Sequence, residues 1–70
     1  MVTGTLENWT IINRKGKEVR LCGEVHGNKD STFHEGEFIK TDFVANVSLR
    51  RGTRVRDFNR MYKLGRPCPF

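Results

Sequence analysis

Cysteine, proline and long apolar runs are all scarce in this 70-residue chain, and each shortage removes a class of protein. Two cysteines, Cys22 and Cys68, have neither the density of a disulfide scaffold nor the spacing of a zinc knuckle, so reduced thiols are expected. No stretch approaches the roughly 18 apolar residues that a membrane-spanning helix needs. The N-terminus lacks the basic, apolar and small-residue succession of a secretory signal, and a cytoplasmic location is expected. Both prolines, Pro67 and Pro69, lie in the last four residues, where with Gly65 they end regular structure. No window repeats apolar residues at helical spacing for three turns. Gly-x-Gly and Walker patterns are absent, which excludes a helix-based phosphate cradle.

What is present describes one small β domain spanning residues 1–70. Hydrophobic residues make up 36% of the chain, with five Phe, one Trp and one Tyr, enough for a compact core. Below roughly 70 to 80 residues a single core seldom supplies more than about 3 to 5 kcal/mol. Help from a ligand or from a second copy is therefore expected, and a homo-oligomer is the expected state.

The stretch Lys17 to Gly27 organises the rest. Val19, Leu21, Gly23 and Val25 fall on one face at period two, with Glu18, Arg20, Cys22, Glu24 and His26 on the other, as in a half-buried strand. Gly23 on the apolar face admits another backbone or a large ring, which predicts a strongly bent strand. Gly4 to Asn13 reads as a first strand, but Leu6 and Ile12 share one face while Trp9 and Ile11 share the other. A bulge near Asn8, or burial on both faces, reconciles them. Gly16 supplies a hairpin turn to the central strand.

Gly27 to Gly36 reads as a loop, within which Phe33 plugs one end of the core. Glu37 to Leu49 is strand-like, either one long bent strand or two joined near Asp42, with Ala45, Val47 and Leu49 inside. Arg50-Arg51-Gly52-Thr53 reads as a second hairpin turn. Thr53 to Phe58 alternates again, with Arg54, Arg56 and Phe58 on one face, and Asn59-Arg60 turns into Met61 to Leu64. The expected class is all-β, a five- or six-stranded antiparallel barrel of SH3-like or OB-like kind without substantial helix.

Charge divides the chain. Residues 1 to 35 hold five basic and five acidic side chains, whereas residues 36 to 70 hold eight and three, so the whole net charge of +5 lies in the second half. That asymmetry points to an anionic partner. Arg50, Arg54, Arg56 and Arg60 are the candidate ligand contacts, since guanidinium forks bind phosphate oxygens bidentately. Phe58 and Tyr62, interleaved with them, are candidates to stack on a base. The competing reading is a solvated cationic face with both aromatics in the core. Arg51, Arg60 and Arg66 sit in or near turns, and their convergence on the same side is an expectation. His26, His34, Asp30 and Glu35 match no metal or nucleophile motif and read as solvated loop groups. No catalytic residue, metal or cofactor is expected.

Four phrases taken together resemble a family of short uncharacterised all-β proteins of phages and bacteria. They are Gly4-x-Leu6-x-Asn8-Trp9, Leu21-x-Gly23-x-Val25-x-Gly27, Phe33-x-x-Gly36-x-x-Ile39-x-Thr41 and Tyr62-x-Leu64-Gly65-x-Pro67. The family pattern has a serine where this chain has Asp42. The resemblance implies a phage-type counter-defence protein. With the charge asymmetry, it makes a non-enzymatic module that sequesters a phosphate-bearing nucleotide signal the leading expectation. An antagonist that docks on a host defence enzyme or nuclease is the alternative. The basic and aromatic face of a small barrel gives a third, a single-strand nucleic-acid binder.

Overall fold

The computed structural model describes residues 2–28, 33–45, 49–57 and 60–69. Six strands are found among them: β1 (Val2–Lys15), β2 (Glu18–His26), β3 (Glu37–Lys40), β4 (Val44–Ala45), β5 (Arg54–Arg56) and β6 (Met61–Leu64). The all-β expectation holds, with no helix among the described residues. The strands form one sheet in the order β3-β2-β1-β6-β5, with β4 paired to β2 beside β3. The ladder is open. Its two ends are not hydrogen-bonded into a closed cylinder among the described residues, although β4 touches β5.

β1 and β2 form the expected hairpin through Gly16, which takes φ +60. The bulge expected near Asn8 is also there: the register shifts between Glu7 and Thr10, and Asn8 takes φ +52. Asparagine tolerates this left-handed backbone better than most residues. The extra residue rotates the strand, so that Leu6 and Trp9, three apart, both enter the core. Gly23 meets this bulge. A Cβ there would lie 2.9 Å from the Glu7 carbonyl oxygen and 3.1 Å from Trp9 Cα, the close backbone approach that its place on the apolar face anticipates.

Between Glu37 and Ala45 the chain forms two strands, β3 and β4, and Thr41 is the reason for the break. Its backbone N–H donates to Leu21 O at 2.8 Å, but the Leu21 N–H donates to the Thr41 hydroxyl oxygen at 3.1 Å. A side chain thus takes the place of the next ladder carbonyl, and that carbonyl turns to the Arg20 guanidinium at 3.0 Å. The chain leaves the ladder for residues 41 to 43 and rejoins β2 at Val44. This break shifts the inside-outside alternation, so Val44 is buried and Ala45 exposed, the reverse of the sequence expectation for Ala45. Val47 lies outside the described residues, and Leu49 packs against the core.

Two further corrections concern β5 and β6. The turn at Arg50 to Thr53 is real, with Thr53 N–H donating to Arg50 O at 3.0 Å, but among the described residues β4 and β5 on either side of it are not ladder partners. β5 pairs instead with β6. β6 lies parallel to β1, whereas an antiparallel arrangement throughout was expected. Long-range bonds secure this pairing: Gly65 N–H to Leu6 O at 2.9 Å, Asn8 N–H to Arg66 O at 2.7 Å and Cys68 N–H to Trp9 O at 2.8 Å.

The core is formed by Leu6, Trp9, Val19, Leu21, Val25, Ile39, Val44, Val55, Tyr62 and Leu64, with Ile11, Phe33 and Leu49 packed against it. Phe33 takes the plugging position expected of it. Among the described residues no helix is long and apolar enough to cross a membrane.

Candidate functional site

The register of β5 decides where the arginines point. Val55 is buried opposite Tyr62, which turns Arg54 and Arg56 to solvent opposite Lys63 and Met61. The ladder extends the first of these rows, because Lys63 faces Thr5 on β1 and Thr5 faces His26 on β2. A polar outer face results, running Arg54, Lys63, Thr5, His26 across four strands. The parallel row holds Glu7 and Glu24, which face each other.

Two clefts open on this face. One of about 310 Å³ is lined by Glu7, Asn8, Glu24, His26, Arg51 and Arg66. The other, of about 330 Å³, is lined by Arg51, Lys63 and Glu7 together with Thr5 and the Gly52 and Leu64–Gly65 segments. Arg51 and Glu7 belong to both. Glu7 is held in place: its Oε1 accepts the Arg66 N–H at 2.7 Å, and its carboxylate lies directly against Gly65, where any Cβ would collide with it. Glycine at position 65 is what lets the carboxylate sit there.

At the far end of the face His26 lies between two carboxylates. Its Nε2 is 3.1 Å from Glu24 Oε1 and its Nδ1 is 2.9 Å from Glu35 Oε2. Hydrogen bonding to Glu24, then to Glu35, holds the imidazole pKa above its ordinary 6.5. The same contact holds Glu35 below the usual carboxylate range, helped by the Gly27 N–H that donates to its Oε1 at 2.9 Å. The sequence reading of His26 and Glu35 as solvated loop groups misses this pairing, which ties the 27–36 loop to β2. Alternation placing Glu24 beside His26 on the outer face is the signal that was available. Asp30 lies outside the described residues, and His34 is exposed. No group of three or more His, Cys, Asp or Glu side chains among the described residues is placed to hold a metal ion.

The sequence-named candidates separate. Arg50, Arg54 and Arg56 are exposed as expected, with Arg50 in the turn before Arg51. Arg60 is half-buried, its guanidinium 5.1 Å from the centre of the Phe33 ring, a contact that caps the core. Tyr62 is 1% exposed in the core, so the stacking face expected of it is covered by packing. Phe58 lies outside the described residues. The cations that line the clefts are Arg51, Lys63 and Arg66. Their convergence depends on β6 meeting β1 in parallel, a pairing between chain ends for which no local pattern is a cue. Searches of protein-family models, of curated proteins and of solved structures found no match to this chain.

Proposed function

We propose that the protein is a non-enzymatic binding module that captures a phosphate-bearing nucleotide on its outer face. The observation that carries this reading is Arg51 on the wall shared by two clefts, with Arg66 on one and Lys63 on the other. Arg54 stands across the ladder from Lys63 and widens the cationic area. Guanidinium groups exposed at a cleft offer paired N–H donors to phosphate oxygens, with little folding energy at stake in their side chains. Capture of this kind needs no nucleophile. With the resemblance to short phage and bacterial proteins, the reading extends to a counter-defence protein that sequesters a nucleotide signal in the host cytoplasm. An SH3-like or OB-like barrel fits a sheet whose β4 and β5 touch, and self-association fits a core this small.

Calorimetry against cyclic dinucleotides, linear nucleotides and ADP-ribose derivatives tests the proposal at physiological salt. Uptake of at least one is expected, and the absence of heat for every member of the panel sinks it. A second reading, docking on a host defence enzyme, is favoured by Ile12 and Phe38, which are large apolar side chains left exposed. Recovery of a stoichiometric host protein with the tagged chain, undiminished by added nucleotide, decides for that reading.

A further inference from the structure

Phe38 projects from β3 with 61% of its surface exposed, directly opposite Glu24 on β2. Glu24 faces Glu7 on β1, and the Glu7 carboxylate lies against Gly65, just past the end of β6. Glu7, Glu24, Arg51 and Arg66 share the wall of the 310 Å³ cleft. The ladder therefore sets an aromatic ring and two carboxylates in one row, Phe38–Glu24–Glu7, and the cleft that the carboxylates line also carries two guanidinium groups. Neighbouring strands stand about 4.8 Å apart, so the three steps from β3 to β6 cover roughly 14 Å. A nucleotide with more than one phosphate carries a base, a sugar and a phosphate chain in succession, groups that a ring, carboxylates and guanidinium groups can each contact.

We propose that this face holds a nucleoside diphosphate laid across the strands: its base on Phe38, its sugar hydroxyls donating to Glu24 and Glu7, and its phosphates on Arg51 and Arg66. The placement rests on the function proposed above and adds to it the part of the nucleotide that each residue reads. Glu7 Oε1 accepts the Arg66 N–H and Glu24 Oε1 lies 3.1 Å from His26 Nε2. A carboxylate accepts through both oxygens, so both retain acceptor capacity for a vicinal diol. The same two negative charges weigh against an anion without a sugar, since a free diphosphate meets the carboxylates with no hydroxyl to offer. Phe38 supplies a sequence-tolerant platform, because every base has a π face.

The test is calorimetry with ADP, 2′,3′-dideoxy-ADP and inorganic pyrophosphate on the parent chain and on the Phe38→Ala and Glu24→Gln variants. ADP is expected to bind at least tenfold more tightly than either of the other two. Each variant is expected to lose about tenfold for ADP, while Phe38→Ala leaves pyrophosphate unchanged. Phe38 is exposed, so its variant keeps the parent's thermal melt and its loss reads on binding. Equal affinity for ADP and dideoxy-ADP, or for ADP and pyrophosphate, overturns the placement while leaving anion capture standing, as does a Phe38→Ala variant within twofold of the parent. A parent chain that binds none of the three, and no member of the wider nucleotide panel, removes the proposed function and the placement together.

Discussion

The indole Nε1–H of Trp9 donates to the carbonyl oxygen of Gly65 at 3.0 Å, across 56 positions of chain. One side chain thereby ties the bulge of β1 to the end of β6, and the buried carbonyl that would otherwise lack a donor is satisfied. Trp9→Ala removes both the ring and the bond and is expected to cost roughly 3 to 5 kcal/mol, most of the stability of a domain this small. Trp9→Phe keeps most of the volume and loses the bond, for about 1 to 3 kcal/mol, because the Gly65 carbonyl stays buried. Urea unfolding of the two variants separates the terms; equal losses would mean that packing alone matters.

Gly23 has no room for a methyl group. The Leu6 Cγ and Glu7 carbonyl oxygen, each 2.9 Å from a Cβ built there, belong to the strand that the bulge pushes inward. Gly23→Ala is expected to destabilise by about 1 to 3 kcal/mol through overpacking. Gly16→Ala has open space around it but a φ of +60, so its cost comes from backbone conformation alone. Thermal melts that rank Gly16→Ala as the more damaging would contradict the close approach at Gly23.

Arg54 and Arg56 are exposed on β5, so changing either to Ala should leave stability within about 0.5 kcal/mol. If Arg54 contacts a bound phosphate, its loss removes a charge-assisted bond of roughly 1.5 to 3 kcal/mol, about ten- to a hundredfold in affinity. Arg51→Ala is expected to cost at least as much, since Arg51 lines both clefts. Titration of the same nucleotide into each variant compares them. Arginine variants that bind normally and melt far earlier would assign these residues to the fold.

The Glu24–His26–Glu35 contacts make stability depend on pH. His26 has its folded pKa raised above 6.5, so its contribution is complete below that ordinary value and is lost as pH rises through the raised one. Glu35 has its folded pKa lowered from 4.5, so its contribution is present above that value and is lost as pH falls through the lowered one. Both operate together between 4.5 and 6.5. Melting temperatures of the parent and a His26→Asn variant, followed from about pH 4 to 9, should differ most inside that window and converge on the alkaline side. A constant difference across the range would show that the ion pairs contribute nothing.

Alternation at period two placed Val19, Leu21 and Val25 in the core and Arg54 and Arg56 outside it, because a side chain's face follows from its parity once the strand exists. The conflict between Leu6 and Trp9 likewise left a bulge or burial on both faces, of which the structure has the bulge, and Gly23 announced the close approach beneath it. The residues of the four phrases that suggest a family are for the most part those that build the fold: Leu6, Trp9, Gly23, Val25, Ile39, Thr41, Tyr62, Leu64 and Gly65 are all buried. They therefore speak for architecture more than for a site. Tertiary structure alone decided that β6 runs parallel to β1, that Thr41 breaks the third strand with its hydroxyl, and that Tyr62 belongs to the core. It also decided that Arg51, Lys63 and Arg66, instead of the evenly spaced arginines of β5, border the clefts. Those outcomes depend on contacts between residues up to 59 positions apart, such as Glu7 with Arg66. Local propensity and parity carry no information at that range, where the free energy of packing and of satisfying buried polar groups selects the partner.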